Sequence, residues 1–401
     1  MKPKIIAWLF AVSVFPQLAA QEKEEPQFKA YWRNGFRVES TDSKFKLSFG
    51  GMLQYDYAFF MQDADVEAAF EEINHATELR RVRVYHGGTL DHFINYKLQV
   101  DFAGGKVAFK DVYISFSKIP GVGNFTAGQF KVPFRLDALT GSKYVTFMER
   151  ALPAALMNDR SLGFMISNEA FKSRLAWQAG VFRNSEALGQ DIEDDSRINA
   201  SGRLTGLVLK NDEKNRLLHL GVAYNFRSLK GKGYKVSAQP ESHLAPEYAE
   251  IDLKGIRNVH FTGGEVAYVE GPFSLQGEIV SAMVNVDSTG EQFSFMSYYG
   301  QASWFITGES RNYKNSYLGF DRVTPKKNLG KGGCGAWEFA LRYSAIDLND
   351  GLVHGGQFYD ITAGLNWYMN PVTRILFNYI FSRVKNVGNT GIIQTRFQID
   401  F

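Results

Sequence analysis

The sequence predicts an all-β fold, a closed transmembrane antiparallel β-barrel of about 16 strands. In the last eleven residues, Ile393, Phe397 and Phe401 share one parity, whereas Gln394 and Arg396 share the other. Successive strand residues point to opposite faces, so this strand has one apolar face and one polar face. The same two-faced pattern recurs along the chain, and its connections alternate between short and long. After a short leader, no apolar stretch in the sequence approaches the roughly 20 residues of a membrane-spanning helix.

The first 20 residues predict a signal peptide. Lys2 and Lys4 precede a largely apolar run, and the small residues Ala19 and Ala20 offer a cleavage site before Gln21. A basic start, a short apolar run and small residues are the three parts of a secretory signal. Residues 21–44 are charged and aperiodic, which predicts a periplasmic N-terminal segment, and residues 45–401 then form the barrel domain.

Composition and charge limit the classes of function. Without Lys2 and Lys4, 43 of the 45 basic residues remain against 42 acidic ones, so bulk charge gives no support for nucleic-acid binding. The single cysteine, Cys334, excludes an internal disulfide and a cysteine-based metal cluster. The glycine pairs at 104–105 and 332–333 are turn glycines, because no helical pattern follows them. We therefore expect no cofactor.

The period-2 pattern begins at Phe45 and continues to the C-terminus. In the first strand, Phe45, Leu47 and Phe49 alternate with Lys46 and Ser48. Strands of about ten residues suit a tilted crossing of the hydrocarbon layer, and single-chain bacterial barrels have an even number of strands. Aromatic residues gather near strand ends, as an interfacial girdle requires. The sixteen predicted strands lie near 45–57, 80–89, 93–102, 111–117, 125–134, 161–169, 174–184, 197–209, 217–228, 259–270, 272–286, 293–308, 335–348, 355–370, 373–384 and 391–401.

The lengths of the connections predict which end of the barrel faces outward. Short periplasmic turns and long outer loops are typical of such barrels. The predicted outer loops include long segments at 59–79, 135–160 and 228–258, whereas a predicted inner turn such as 91–92 is short. One segment breaks this pattern, because 309–334 is long and yet falls on the periplasmic side. It is either an extended inner turn or contains a strand pair that the periodicity does not show.

Five stretches of the sequence resemble the phosphate-selective porin family, porins O and P. They are ELRRVRVY at 78–85, QVDFAGGKVAFKDVYI at 99–114, GQFKVPF at 128–134, SKYVTFMERALP at 142–153 and GAWEFALRY at 335–343. The strand that ends on Phe401 also resembles the closing strand of outer-membrane barrels, whose aromatic end resembles a signal for the barrel-assembly machinery.

The resemblance implies a fold, a location and partners. It implies a sixteen-stranded anion channel in the outer membrane of a Gram-negative bacterium, in contact with lipid and usually a homotrimer. The third outer loop, here 135–160, would fold into the lumen. Phosphate and polyphosphate are the anions to consider. Since one fold hosts many functions, the permeant has to be argued from the residues that line the pore.

Basic side chains on the lumen face are candidate anion-binding residues. A pore that passes phosphate replaces part of the hydration shell with donors and still releases the ion. Arginine binds phosphate oxygens through two parallel hydrogen bonds, whereas lysine acts as a point charge. The candidates are Arg80, Arg81, Arg83, Lys97 and Lys131 on the wall, and Arg135, Lys143, Arg150 and Arg160 in or beside the inner loop. Four further arginines of polar parity extend this basic track: Arg203, Arg227, Arg342 and Arg396.

Two other interpretations remain open. In the first, the arginines only brace the wall by pairing with carboxylates, and the barrel is a general channel or one for sugars or oligopeptides. The second is a secreted β-rich binding protein that never enters a membrane. An enzyme is not expected, because a recognisable serine motif does not accompany His219, the only histidine well inside a strand on the polar parity. The bracing carboxylates would be Asp101, Asp111, Glu265, Glu278 and Glu338.

Overall fold

The computed structural model describes residues 27–157, 159–183, 189, 197–330 and 332–401. Within these ranges the chain is almost entirely β-structure. The predicted signal peptide at 1–20 and the start of the predicted periplasmic segment lie outside the described residues. Among the helices in these ranges, none is long and apolar enough to cross a membrane.

The described elements follow one another in a simple order. The strands are β1 (Phe28–Trp32), β2 (Phe36–Ser40), β3 (Lys46–Gln62), β4 (His75–Leu90), β5 (Ile94–Asp101), β6 (Ala108–Ile119), β7 (Gly123–Lys131), β8 (Arg160–Ala170), β9 (Leu175–Arg183), β10 (Asn199–Asn211), β11 (Arg216–Ala238), β12 (Ala249–Glu270), β13 (Phe273–Val286), β14 (Gln292–Phe305), β15 (Tyr313–Asn315), β16 (Gly319–Phe320), β17 (Ala336–Asp350), β18 (Val353–Asn370), β19 (Thr373–Val384) and β20 (Gly388–Asp400). The helices are α1 (Ala64–Ala69) and α2 (Leu136–Leu139), with 3-10 turns at Ala103–Gly105 and Leu152–Ala155.

One closed antiparallel barrel contains all of these strands except β1, β2, β15 and β16, which gives sixteen barrel strands in the described part of the chain. Each barrel strand pairs with the next one along the chain. The barrel closes where β20 pairs with β3, from Thr390 opposite Gln62 to Asp400 opposite Met52. The prediction of a sixteen-stranded barrel is confirmed.

Strands β1 and β2 form a hairpin that adds to the sheet beside the first residues of β3, next to the β3–β20 pairing that closes the barrel. β2 pairs with residues 46–49 of β3, on the same edge that β20 uses further along. The C-terminal residue lies at the junction, where Phe401 and Gly51 exchange two backbone hydrogen bonds of 2.7 and 3.1 Å. The aperiodic sequence of the N-terminal segment did not predict this hairpin.

The barrel strands have an apolar outer face and a mixed inner face. In β3, Tyr55 is 40% exposed, whereas its neighbours Gln54 and Asp56 are 0% and 3% exposed. Residues that pair directly across two strands share a face, so both surfaces continue around the barrel. At the end with the short turns, the rings of Trp337 and Trp367 stack with centroids 5.2 Å apart, as in an interfacial girdle. We call this end the turn end and the opposite end the loop end.

The connection between β7 and β8, residues 132–159, folds into the lumen as the family resemblance implied. We call it the inner loop. The opposite wall holds its backbone, because Arg374 donates to the Val145 carbonyl at 2.9 Å and Asn366 donates to the Thr146 carbonyl at 2.8 Å. The inner loop therefore narrows the barrel from within.

Two predicted outer loops are shorter than expected. At 59–79, β3 and β4 extend toward each other and leave only 63–74, which contains α1. At 228–258, β11 and β12 extend in the same way and leave only 239–248. In the second extension, charged residues such as Lys235 and Glu250 occupy the exposed face, so its composition resembles that of a loop. We call the extension at 229–257 the loop hairpin.

The loop hairpin bends across the lumen, which the sequence did not predict. At its tip, the Glu241 N–H donates to Asp360 of β18 at 2.8 Å. Behind the tip, the Tyr234 hydroxyl donates to the Leu156 carbonyl of the inner loop at 2.8 Å. The hairpin thus contacts both the opposite wall and the inner loop.

An apolar core fills the space between the loop hairpin and the wall. Val236 and Ile251 of the hairpin pack in one buried cluster with Phe261, Phe295 and Phe358 of the wall. Burial of such side chains stabilises by about 1.5–3 kcal/mol each. One side of the lumen at the loop end is therefore dry, and the water-filled space is displaced toward β4, β6 and β7.

The long turn-end segment at 309–334 enters the lumen from the opposite side. It contains the small hairpin β15–β16, which lies outside the barrel sheet. Arg203 of the wall donates to its Ser316 carbonyl at 2.8 Å, and Phe320 packs against Leu136 of the inner loop. The segment is thus an extended inner turn that contains its own strand pair, so it combines the two interpretations that the sequence allowed.

Replacement of Phe358 should loosen the loop hairpin without opening the barrel. Phe358→Ala leaves a cavity against Tyr248, whose ring centroid is 5.9 Å away, and such truncations cost about 3–5 kcal/mol. We expect faster amide hydrogen exchange at 229–257, measured by mass spectrometry, with a heat-resistant barrel still visible on gels. The matched control is Phe377→Ala on the lipid-facing side of β19, where the ring is 43% exposed. Equal exchange in both variants would contradict the packed core.

Candidate anion-binding site

Three arginines of β4 face the lumen, because a β-bulge adds Arg80 to the two that ordinary alternation places there. Gln54 of β3 pairs with Arg81, whereas the next residue of β3 pairs with Leu79, so Arg80 is an extra residue in β4. An extra residue shifts the alternation of side chains by one position. Arg80 and Arg81 are therefore both inside the barrel, and Arg83 follows on the same face. Parity alone placed Arg81 and Arg83 inside, with Arg80 only beside them.

A second bulge, in β6, adds a cation that the sequence analysis missed. The pairing of β5 with β6 shifts register between Leu98 and Val100, which inserts one extra residue in β6. As a result Lys110 lies beside the three arginines, with its Nζ 3.9 Å from Asp101 Oδ2. That distance is too long for a hydrogen bond. A bulge leaves no mark in a period-2 pattern, so the sequence carried no signal for Lys110.

These side chains line a cavity of about 560 Å³ enclosed by β4, β6, β7, the inner loop and the loop hairpin. Among the described residues around it, cationic side chains outnumber carboxylates by seven to three. A cleft lined mainly by one sign of charge concentrates counter-ions. The cations are Arg80, Arg81, Arg83, Lys110, Lys131, Arg150 and Arg160, and the carboxylates are Glu149, Asp159 and Glu241.

Three of the nine sequence candidates are absent from the described lining of this cavity. Lys97 binds a carboxylate of β6 at 2.6 Å. Arg135 is 3% exposed and donates to Asp159 at 2.6 Å. Lys143 donates to Asp400 at 2.9 Å, close to the turn end. The other six candidates line this one cavity.

The wall arginines are also braced, as the competing interpretation required. Arg83 Nε donates to Asp101 at 2.6 Å, and its Nη1 donates to Ser142 of the inner loop at 3.0 Å. Arg160 Nε donates to Asp111 at 2.8 Å. A guanidinium group has five N–H donors, so each of these contacts uses only part of its capacity. Bracing and ligand binding are therefore compatible in the same side chain.

Arg150 and Lys131 hold the helical turn of the inner loop. Arg150 Nη2 donates to the carbonyls of Ala138 and Thr140, both at 3.0 Å. Lys131 Nζ donates to the carbonyls of Leu139 and Thr140 at 3.1 and 3.0 Å. The last carbonyls of a helix have no partner within it, so cations at this end satisfy them. These two candidates shape the cavity as well as line it.

Two carboxylates of the inner loop, Glu149 and Asp159, stay ionised near neutral pH. Burial opposes the charge of Glu149, but Arg80, Arg81 and Arg396 outweigh burial and hold the pKa of Glu149 well below its ordinary value. Burial likewise opposes the charge of Asp159, and arginines of the inner loop lower its pKa below the ordinary value. Glu149 and Asp159 therefore each contribute a negative charge to the cavity lining.

The expected extension of the basic track is wrong. Arg203, Arg227, Arg342 and Arg396 are all buried, and they are absent from the described lining of the cavity. Each lies where its strand faces a packed segment inside the barrel rather than water. Arg342, for example, donates to the Glu149 carbonyl at 2.9 Å and so holds the inner loop.

Three of the five carboxylates expected to brace the wall do so. Asp101, Asp111 and Glu265 each form a salt bridge with an arginine of the wall. Glu278 instead accepts from a backbone N–H of the inner loop at 2.6 Å. Glu338 accepts from a tyrosine hydroxyl at 2.8 Å. Glu278 therefore anchors the inner loop, whereas Glu338 joins β17 to β18 within the wall, and neither forms a salt bridge with a described arginine.

The lumen histidine has a structural environment. His219 is fully buried, with Nδ1 2.8 Å from the Tyr313 hydroxyl and Nε2 2.8 Å from Glu265 Oε1. A catalytic base needs a nitrogen within reach of its substrate. Because both ring nitrogens already contact protein groups, His219 joins the turn-end segment to the wall.

The chain has relatives in two bacteria. Porin O of Pseudomonas aeruginosa is 24% identical over 400 residues, which covers 90% of this chain and 88% of the relative. A protein of Caulobacter vibrioides described as uncharacterized is 29% identical over 372 residues, which covers 90% of this chain and 72% of the relative.

Solved porin structures share the fold. The anion-selective porin from Comamonas acidovorans has a TM-score of 0.56 and 13% identity, covering 89% of this chain and 100% of that one. A trimer form of OmpT of Vibrio cholerae has a TM-score of 0.55 and 13% identity, covering 88% and 99%. Residues 47–401 match the family described as phosphate-selective porin O and P. The chain therefore belongs to this family of porins, which implies an anion-selective channel of the Gram-negative outer membrane.

Proposed function

We propose that the cationic cavity is the selectivity site of this porin, through which small anions such as phosphate diffuse passively. The observation that carries the proposal is the surplus of cations, seven against three carboxylates among the described residues, around one cavity where the inner loop narrows the barrel. Polyphosphate belongs to the same chemical class, because it offers the same oxygens in a chain.

The chemistry of the lining fits an oxyanion. A permeating phosphate exchanges part of its water for donors, and the arginine fork matches two of its oxygens. Arg83 and Arg160 have donors left after their contacts with Asp101 and Asp111. Lys110 adds a positive charge that no short hydrogen bond to Asp101 neutralises. Together these groups attract an anion without enclosing it completely, which is what rapid release requires.

A second candidate function is a general channel or one for sugars or oligopeptides. The observation that favours it is the extent of the bracing, since Arg80, Arg81 and Arg83 all contact side chains of neighbouring segments. In this alternative the arginines hold the inner loop and contribute little to selectivity. The two functions differ in the charge preference that the channel shows.

We further propose that the protein is a homotrimer, with the wall around β5 and β7 turned toward the partner copies. Strands β5 and β7 have 8 and 9 residues, whereas β11 and β12 have 23 and 22. A tilted strand needs about 9–11 residues to cross the hydrocarbon layer, so the wall is low around β5 and β7. Contact with a protein surface covers a low wall better than lipid does. The exposed Phe102 and Val107 lie at the rim of this face.

Replacement of Lys110 should weaken anion selectivity. A unit charge about 5 Å from an ion is worth about 0.8 kcal/mol in water, which corresponds to roughly a fourfold change in permeability ratio. We expect the wild-type protein to favour chloride over potassium in planar bilayers, and Lys110→Gln to lower this preference severalfold. The measurement is the reversal potential in a potassium chloride gradient.

The control for that experiment is Lys254→Gln, which removes a cation from the outer face of the loop hairpin. The Lys254 side chain is 76% exposed and pairs with Asp252 at 2.7 Å. It should leave the reversal potential unchanged. A wild-type channel with cation preference, or with none, would rule out the proposed anion channel and leave the general channel.

The oligomeric state should be visible in mild detergent. Light scattering coupled to size exclusion should give a protein mass three times that of one mature chain, because the low wall needs a protein partner. Complete boiling should convert the assembly to monomers that migrate differently on gels. A monodisperse monomer with a fully folded barrel would contradict the trimer and would not affect the proposal for the cavity.

A further inference from the structure

The carboxylate of Glu149 occupies the centre of the arginine group. Its Oε1 lies 2.8 Å from Arg80 Nε and 2.7 Å from Arg396 Nη2. Its Oε2 lies 3.0 Å from Arg80 Nη2 and 3.5 Å from Arg81 Nη2. Arg80 thus grips both oxygens through the edge of its guanidinium group, with two further guanidinium groups beside it.

This arrangement resembles the binding of a free oxyanion. Two parallel N–H···O bonds from one arginine edge are the usual way in which arginine binds carboxylates and phosphates. The donors that phosphate would prefer on Arg80 are therefore already used by a carboxylate of the protein itself. Because Glu149 also lines the cavity, its carboxylate lies where a permeating anion passes.

The backbone around Glu149 keeps the carboxylate in place. Arg342 donates to the Glu149 carbonyl at 2.9 Å, and Arg396 donates to the preceding carbonyl, that of Met148. A group tethered next to its partner competes as if present at a high local concentration. A free anion must therefore compete with Glu149 for Arg80 and Arg81 at every passage.

We propose that Glu149 is a tethered competing anion that sets the affinity of the cavity for permeating oxyanions. This inference rests on the proposed function and adds a residue that determines affinity. Glu149 leaves Arg83, Lys110 and Arg160 as the main partners of the permeant and keeps Arg80 from holding it. The charge of the whole group then attracts the permeating anion. Its release is faster because the guanidinium group of Arg80 does not bind it.

The inference predicts a gain of affinity on loss of the carboxylate charge. Glu149→Gln keeps the shape of the side chain and frees the Arg80 fork for phosphate. A hydrogen bond to a charged group contributes enough for about a tenfold change in affinity. We expect inorganic phosphate to inhibit the chloride current at about tenfold lower concentration, and the saturated phosphate current to fall because release is slower. Both are measured on single channels in planar bilayers.

Two further variants separate competition from the loss of one negative charge. Asp159→Asn also removes one negative charge from the cavity. The arginines that bind the Asp159 carboxylate, however, are Arg135 and Arg150 and not Arg80. This variant should change phosphate inhibition much less than Glu149→Gln. Arg80→Gln should abolish the gain in phosphate inhibition when it is combined with Glu149→Gln.

The outcomes distinguish this inference from the proposed function. If the wild-type channel prefers anions and Glu149→Gln leaves phosphate inhibition unchanged or weaker, Glu149 only holds the inner loop and the inference is wrong. An equal gain in Asp159→Asn also overturns it, since charge alone then explains the effect. A wild-type channel without anion preference overturns the proposed function and this inference with it. A damaged inner loop would weaken inhibition, so the expected gain cannot arise from misfolding.

Discussion

The structure depends on one constraint, that backbone polar groups in hydrocarbon find their partners within the protein. A sheet meets this demand only when its first and last strands pair, as β3 and β20 do along eleven residues of each. Closure of sixteen strands leaves a wide lumen, and the lumen must then be filled or held open. The inner loop, the loop hairpin and the turn-end segment fill it from both ends. At the loop end, what remains open lies against β4, β6 and β7.

The filling explains why so many charges lie inside the barrel. Burial of an unpaired charge costs several kcal/mol, so arginines inside the lumen are paired with carboxylates or carbonyls of the incoming segments. Arg396, for instance, is fully buried and contacts both Asp56 of the wall and Glu149 of the inner loop. The same contacts that place the inner loop also fix the cations that line the cavity. Selectivity and architecture therefore use one set of side chains.

The sequence predicted the barrel because lipid imposes a regular pattern. Every strand must present an apolar face to the hydrocarbon, so Tyr55 and Ile393 could be assigned without any structure. Wall parity and the family resemblance indicated the same region of the barrel, and six of the nine candidate cations line one cavity there. Lys110 was missed, and Arg80 was only placed beside the lumen, because a bulge changes parity without changing composition. The loop hairpin and the dry core were missed because contacts such as that of Tyr234 with Leu156 join segments far apart in the chain.

The N-terminal hairpin has a consequence for how the barrel can close. Beyond Gly51 the edge of β3 is already occupied by β2, so β20 meets an obstacle where its last residue arrives. At that point a side chain on Gly35 would begin 3.2 Å from the Phe401 carbonyl carbon, which shows how closely the two segments abut. A slip of one residue would exchange the lipid and lumen faces of the closing strand. The hairpin thus blocks a shift of β20 past Gly51 along this edge of β3.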